Sequence, residues 1–224
     1  MPSVISEFYA KYASLLARGT LETLSMLFVS TGFAYLFGLA IGVVLYVTSP
    51  GGLRPMRVPN AMLGWVVNMT RSIPFIILLV ALMPWTRALV HTTIGVVGVT
   101  PPLVVSAAPF VARMIEQSLA ETPRDSIEAA EACGASVPRI VWSALLPEAL
   151  PSIVRGVSIT LISVLGYTAI AGAVGAGGLG DIAIRYGYYR YEDEVMIVTV
   201  VLLVVLVQVI QSTCDALANR IDHR

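Results

Sequence analysis

Apolar residues run through this chain in long blocks with few polar interruptions. Residues 23–53, 88–112, 156–180 and 195–214 contain no charged side chain, and 58–86 is interrupted only by Arg71. A helix needs about 20 mostly apolar residues to cross the hydrocarbon core of a bilayer. The pattern therefore predicts five spanning helices at about 20–47, 60–84, 102–119, 151–174 and 194–214. Pro74 and Pro109 are expected to kink their spans, since a proline removes a backbone donor and crowds the preceding turn. Before the first block, Val4, Ile5, Phe8, Tyr9, Tyr12, Leu15 and Leu16 recur at helical spacing. Residues 1–19 thus read either as an amphipathic external segment lying in the membrane interface or as an extension of the first span. No basic start followed by a short apolar core marks a signal peptide.

Composition supports the membrane reading. Of 224 residues, 57% are hydrophobic and 12% charged, against roughly a quarter charged in soluble domains. The mean hydropathy is +0.82. Net charge is zero, which gives no field to draw in nucleic acid. Loops 49–59 and 113–155 with the C-terminus hold Arg54, Arg57, Arg113, Arg124, Arg139, Arg155, Arg220 and Arg224. The opposite set holds Lys11, Arg18, Arg87, Arg185 and Arg190. The excess puts the first set in the cytoplasm and the N-terminus outside. The bulk of the chain, 20–219, forms the transmembrane domain and 220–224 a cytoplasmic tail. Arg71 is the one charge read inside a span, either snorkelling near the cytoplasmic end or meeting a substrate carboxylate.

GAGGLG at 175–180 matches G-x-G-x-x-G, with Glu194 downstream as the acidic partner. A dinucleotide site also needs a strand before the glycines and a helix after them. Here ITLISVLGYTAIAGAV, an unbroken spanning pattern, precedes them. The glycines are expected to serve bends or close backbone approach. Cys133 and Cys214 have no metal-ligand spacing and read as structural thiols. His91 and His223 are far apart and peripheral, and no nucleophile, acid–base or metal set emerges.

The most patterned polar stretch is 120–148, AETPRDSIEAAEACGASVPRIVWSALLPE. Thr122, Pro123 and Asp125 predict a capped helix from Pro123 to about Cys133, ended by Gly134 in a left-handed conformation. Ser136 is expected to cap a second short helix through Arg139–Leu145, with Pro147 and Pro151 forcing a break before the fourth span. Two short helices would make a stiff element at the membrane surface. Glu128 and Glu131 read as a solvated face or, beside Ala129, Ala130, Ala132, Gly134 and Ala135, as a docking surface.

Glu128-Ala129-Ala130, Gly134 and Leu146-Pro147 resemble the EAA loop of the permeases of binding-protein-dependent ABC importers. The family motif runs EAA, three residues, Gly, nine residues, Ile, one residue, Leu-Pro; its Ile falls here on Ala144. RSIPFIILL (71–79), LLPEALPSIV (145–154) and AGAVGAGGLGDIAIRYGY (171–188) narrow the resemblance to the methionine-importer permeases. The resemblance implies an all-α type I importer permease fold with five spans. It implies a homodimer, two ATP-binding subunits docked on the cytoplasmic loop, and an external substrate-binding protein. ATP and Mg would sit on the partner ATPase, and no cofactor on this chain. Glu128, Ala129, Ala130, Gly134, Ala135, Leu146 and Pro147 would form the coupling loop.

Translocation would then follow a path on the dimer axis. The small or mildly polar run Gly166–Gly172 makes the fourth span its expected lining, with Tyr167, Thr168 and Ile170 as path or gate candidates. Gly38 and Gly42 form G-x-x-x-G in the first span and are expected to pack within the bundle. An ion-coupled carrier would need carboxylates inside the spans, and the 14 acidic residues lie at span ends or in loops.

Overall fold

The computed structural model describes residues 2–221, with side chains described from Ala10 onward. Most of the apolar residues that read as an N-terminal amphipathic face, Val4 to Tyr9, and the tail beyond Ile221 therefore lie outside the described side chains. Every regular element among the described residues is helical: α1 Pro2–Thr48, α2 Arg57–Ser72, α3 Phe75–Val90, α4 Gly95–Ala120, α5 Arg124–Ala132, α6 Val137–Ile140, α7 Leu146–Gly172, α8 Gly178–Ile182 and α9 Asp193–Ile221. Wide π-type turns at Val141–Leu145 and Ala183–Tyr188 join α6 to α7 and extend α8.

Among the described residues four helices are long and apolar enough to cross a membrane: Ala10–Thr48, Gly95–Ala120, Val137–Gly172 and Asp193–Ile221. The fifth expected span is not one kinked rod. α2 and α3 meet at a bend of 108°. Ile73 is extended, and Pro74, at φ −56° and ψ 135°, starts the new helix. A proline biases the residue before it away from helical geometry, so the chain breaks instead of bending. α4, by contrast, runs through Pro109 without a break.

Residues 2–48 are one continuous helix, and Tyr12 and Leu16 are buried against Leu179, Ile182 and Val195. Tyr12 and Leu16 thus pack on their own chain.

The chain divides into two compact units. One comprises residues to Thr31, Pro74–Val104 and Leu161–Ile210. Its core is the Tyr12–Leu16–Leu179–Ile182–Val195 cluster, flanked by Leu202, Leu203 and Leu206. The other comprises Gly32–Ile73, Val105–Thr160 and residues from Gln211. There Leu45, Val67 and Ala112 are buried with Ile41 and Leu63 packed on them. Gly38 and Gly42 fit the second unit tightly. A Cβ on Gly38 would lie 2.6 Å from Val111 Cβ, and one on Gly42 would lie 2.5 Å from the Ala112 carbonyl oxygen. The G-x-x-x-G pair thus lets α1 approach α4 within one chain.

Arg71 is not the only charge carried by the apolar helices. Arg113 and Glu116 lie inside α4 and pair at 2.6 Å. Arg113 also donates to the Gly64 carbonyl at 3.0 Å and to Asn68 Oδ1 at 3.2 Å, tying α4 to α2. Glycine at position 64 leaves the room this guanidinium needs, its Nη2 lying 3.0 Å from where a Cβ would stand. Arg71 itself is exposed in the last turn of α2, where a cation suits the helix dipole. Its guanidinium lies 5.9 Å from the Phe110 ring centre. Gln208 and Gln211 are exposed on α9.

Candidate functional site: the polar elbow and the open face of α7

The elbow begins where α4 ends at Ala120. The Thr122 hydroxyl turns back to the Ser118 carbonyl at 3.4 Å and does not cap α5. The helix starts at Arg124, one residue later than expected, with Pro123 in the capping position and no side-chain cap. Asp125 still stands in the first turn, where a negative charge favours the dipole.

α5 stops as its sequence demands. Gly134 has φ +73°, a conformation that costs an L-residue energy and glycine nothing. Its amide donates to the Glu131 carbonyl at 2.8 Å, and the Ala135 amide donates to the Ala130 carbonyl at 3.1 Å. These two bonds form a Schellman stop and use carbonyls the helix end would leave unpaired.

The second leg departs from expectation. Ser136 precedes α6 in an extended conformation without a side-chain cap bond. No break follows. α6 passes through the wide turn into α7, and Val137–Gly172 forms one helix despite Pro147 and Pro151. The physical reason lies in Val141–Leu145. There the Leu146 amide reaches back to the Val141 carbonyl, five residues away. Pro147, which has no amide proton, follows directly on this looser turn, where the regular bonding register is already interrupted.

The same turn accounts for the departure at Ala144. Leu145 is fully buried and Ala144 only half-buried. The added residue in the turn hands the apolar contact to Leu145. Ile127, Ile140, Val141 and Leu145 are the buried anchors of the elbow. Around them Glu128, Ala129, Glu131, Ala132, Cys133 and Gly134 are exposed, Ala130, Ala135 and Leu146 half-buried, and Pro147 exposed. Ile127 is the one buried residue of α5; at about 100° per residue Asp125, Ala129 and Ala132 lie opposite it and Glu128 to one side, all exposed, whereas Ala130 lies nearer to it and is half-buried. The result is a firmly seated, outward-turned surface with little side-chain bulk.

On α7 the three path candidates separate. Ile170 is 44% exposed. Gly166, one turn earlier, is exposed with nothing within 4 Å of a would-be Cβ. Ile159 continues that open face. Tyr167 is half-buried, its ring stacked on Phe75 at 4.8 Å and 17°. Thr168 does not join the face. It is 2% exposed, and its hydroxyl donates to the Leu165 carbonyl at 2.7 Å. At about 100° per residue, two steps along a helix turn Thr168 away from Ile170.

The glycine run 175–180 has a structural use. Gly175, Gly177 and Gly178 all have positive φ. The Gly178 amide donates to Glu22 Oε2 and the Leu179 amide to Thr23 Oγ1, both at 2.8 Å. These two bonds tie the glycine turn to α1. A Cβ on Gly180 would lie 2.5 Å from the Ala169 carbonyl oxygen, and one on Gly172 would lie 2.3 Å from the Asp181 amide nitrogen. Bending and close approach are what the glycines provide. Glu22 and Thr23 were not legible as its partners, since they stand 156 residues away in sequence.

Comparison with known proteins follows the same line. The family of binding-protein-dependent transport system inner membrane components matches residues 34–224. A probable D-methionine transport system permease protein, MetI, of Vibrio cholerae is 46% identical over 222 residues, covering 99% of each chain. The D-methionine transport system permease protein MetI of Escherichia coli K12 is 50% identical over 158 residues, 70% of this chain and 73% of the relative. A solved structure of the MetNI methionine ABC transporter in an inward-facing conformation superposes with a TM-score of 0.93. It shares 48% identity and covers 95% of this chain and 98% of the other.

Proposed function

Since the chain belongs to the family of binding-protein-dependent transport system inner membrane components, we propose that it is the permease subunit of an ATP-driven importer whose solute is an amino acid, methionine first among them. The observation that carries this reading is the elbow. Glu128, Ala129 and Gly134 are exposed on it, with Ala130 half-buried, Ile127 buried beneath and Gly134 ending the helix, and Leu146-Pro147 open α7 beyond it. The names of the relatives supply the solute. Other small amino acids are the second reading, because the apolar spans do not by themselves select a thioether.

In this reading two copies form a homodimer in the bacterial inner membrane. Two ATPase subunits, which hold ATP and Mg, seat on the cytoplasmic elbows at 120–148, and a binding protein delivers solute from outside. The N-terminus lies outside and the C-terminus in the cytoplasm, as the arginine excess favours. ATP binding draws the ATPases together and displaces the elbows, and the spans alternate between inward-open and outward-open. Stiffness is what the elbow contributes, because a slack connection would absorb the displacement. Ile159, Gly166 and Ile170 face the path, and paired Ile170 side chains close it by excluding water.

The test is reconstitution in vesicles with the matching ATPase and binding protein. ATP-dependent uptake should favour methionine over a panel of amino acids. Uptake without ATP, or indifference to substitution of Glu128 and Ala129 by bulky residues, would refute the coupling. For the gate, Ile170→Gly should raise solute leakage and basal ATP hydrolysis, and unchanged values would remove Ile170 from the path.

A further inference from the structure

One cavity takes no part in the path described above. It measures about 310 Å³ and is framed by α1, the start of α4, the glycine turn and α8 with its extension. Two ion pairs line it. Arg18 Nε donates to Glu22 Oε1 at 2.9 Å, and Arg185 Nη2 donates to Asp181 Oδ1 at 2.8 Å. Each guanidinium has five N–H groups and commits one nitrogen to its carboxylate. Both arginines are exposed at the cavity, whereas Glu22 and Asp181 are the more buried members, with side chains 27% and 16% exposed. Glu22 is further pinned by the Gly178 amide at 2.8 Å. Leu15 and Ile182 supply apolar wall.

We infer that this cavity binds a free α-amino acid as its zwitterion. Two positive and two negative side chains balance, so a ligand of zero net charge enters without leaving an uncompensated ion. The carboxylate of such a ligand takes the unspent N–H groups of Arg18 and Arg185 in fork geometry. Its ammonium meets Asp181, and its side chain lies on Leu15 and Ile182. The volume stands at the low end of small-molecule sites, about 300–1,000 Å³, which fits an amino acid and not a dinucleotide. The inference rests on the importer reading, including the orientation that places this end of α1 outside. The cavity then receives solute on the side where the binding protein releases it.

Equilibrium dialysis of radiolabelled L-methionine against the purified, fully assembled transporter tests the site. Saturable binding is expected in the wild type. Arg18→Gln and Arg185→Gln should each weaken it by about tenfold or more. Unlabelled 4-(methylthio)butanoate and 3-(methylthio)propylamine, each lacking one charge, should compete at least about tenfold worse than methionine. Leu15→Trp fills the cavity without touching the ion pairs and should abolish the same fraction of binding, should the arginine variants fail to assemble. Absence of saturable binding, or binding that survives all three substitutions, overturns the inference. ATP-driven uptake by the same preparation separates the two readings. Transport without cavity binding sinks only the site, and failure to transport any amino acid sinks the importer reading itself.

Discussion

Substitution of Gly134 isolates the mechanics of the elbow. Its φ is +73°, and nothing lies within 4 Å of the position a Cβ would take. Added bulk therefore meets no neighbour in this chain, and the cost is backbone conformation alone. A left-handed L-residue costs about 1–2 kcal/mol, which lowers the population of the closed turn roughly 5–30-fold. Asparagine tolerates this region better than alanine does, and a β-branched residue tolerates it worst. The expected order of turn stability is Gly, then Asn, then Ala, then Val, which is not the order of side-chain volume. Amide hydrogen exchange at residues 134 and 135 reads it directly, because those two amides make the terminal bonds of α5 at 2.8 and 3.1 Å. Solute carried per ATP hydrolysed in the assembled transporter should fall in the same order. An order that follows volume, with Asn worse than Ala, would refute the reasoning. Gly134 would then be small because a partner presses on it, not because the backbone turns there.

Four other substitutions bear on the fold that supports the elbow and the path. Thr23→Val leaves the buried Leu179 amide without its acceptor and should cost about 1–3 kcal/mol; thermal unfolding in detergent reads the loss, and Thr23→Ser should restore most of it. Gly180→Ala drives a methyl to 2.5 Å from a backbone oxygen, which should cost about 1–3 kcal/mol or more, seen as a lowered unfolding midpoint. Gly166→Ala, in open space on the same helix system, should instead raise that midpoint by up to about 1 kcal/mol of helix propensity. Arg113→Met removes the bonds to Gly64 and Asn68 and strips Glu116 of its partner. A loss of about 1–3 kcal/mol is expected, part of it recovered by adding Glu116→Gln, and a double-mutant cycle of unfolding midpoints checks this.

Much of the architecture was legible because the physics that fixes it is local. Charge-free runs located α1, α4, α7 and α9, since lipid leaves long helices little latitude. Gly134 was legible because a left-handed helix stop has a residue signature. Pro147 misled because the wide turn at Val141–Leu145 had already loosened the bonding register where its amide is missing; Pro151 is simply carried inside α7. Thr122 and Ser136 looked like caps, yet a cap needs the hydroxyl oxygen aimed at the first amides of the new helix; the Thr122 hydroxyl lies instead on the Ser118 carbonyl of the preceding helix, and Ser136 makes no side-chain cap bond. Composition groups Thr168 with its small neighbours, but it does not say which way around the helix each residue points; Thr168 is buried with its hydroxyl on the Leu165 carbonyl, whereas Ile170 is exposed. The partners of the glycine turn, Glu22 and Thr23, became visible only once the chain had folded back on itself.

Cys133 closes α5 and stands exposed beside Gly134, whereas Cys214, the only other thiol in the chain, is half-buried on α9. The unaltered protein therefore brings its own footprinting label to the surface at issue. A membrane-permeant alkylating reagent will mark position 133 quickly on bare chains and slowly wherever another subunit shields it. Occupancy of that surface can thus be followed in native membranes, across a turnover cycle, without engineering a single residue.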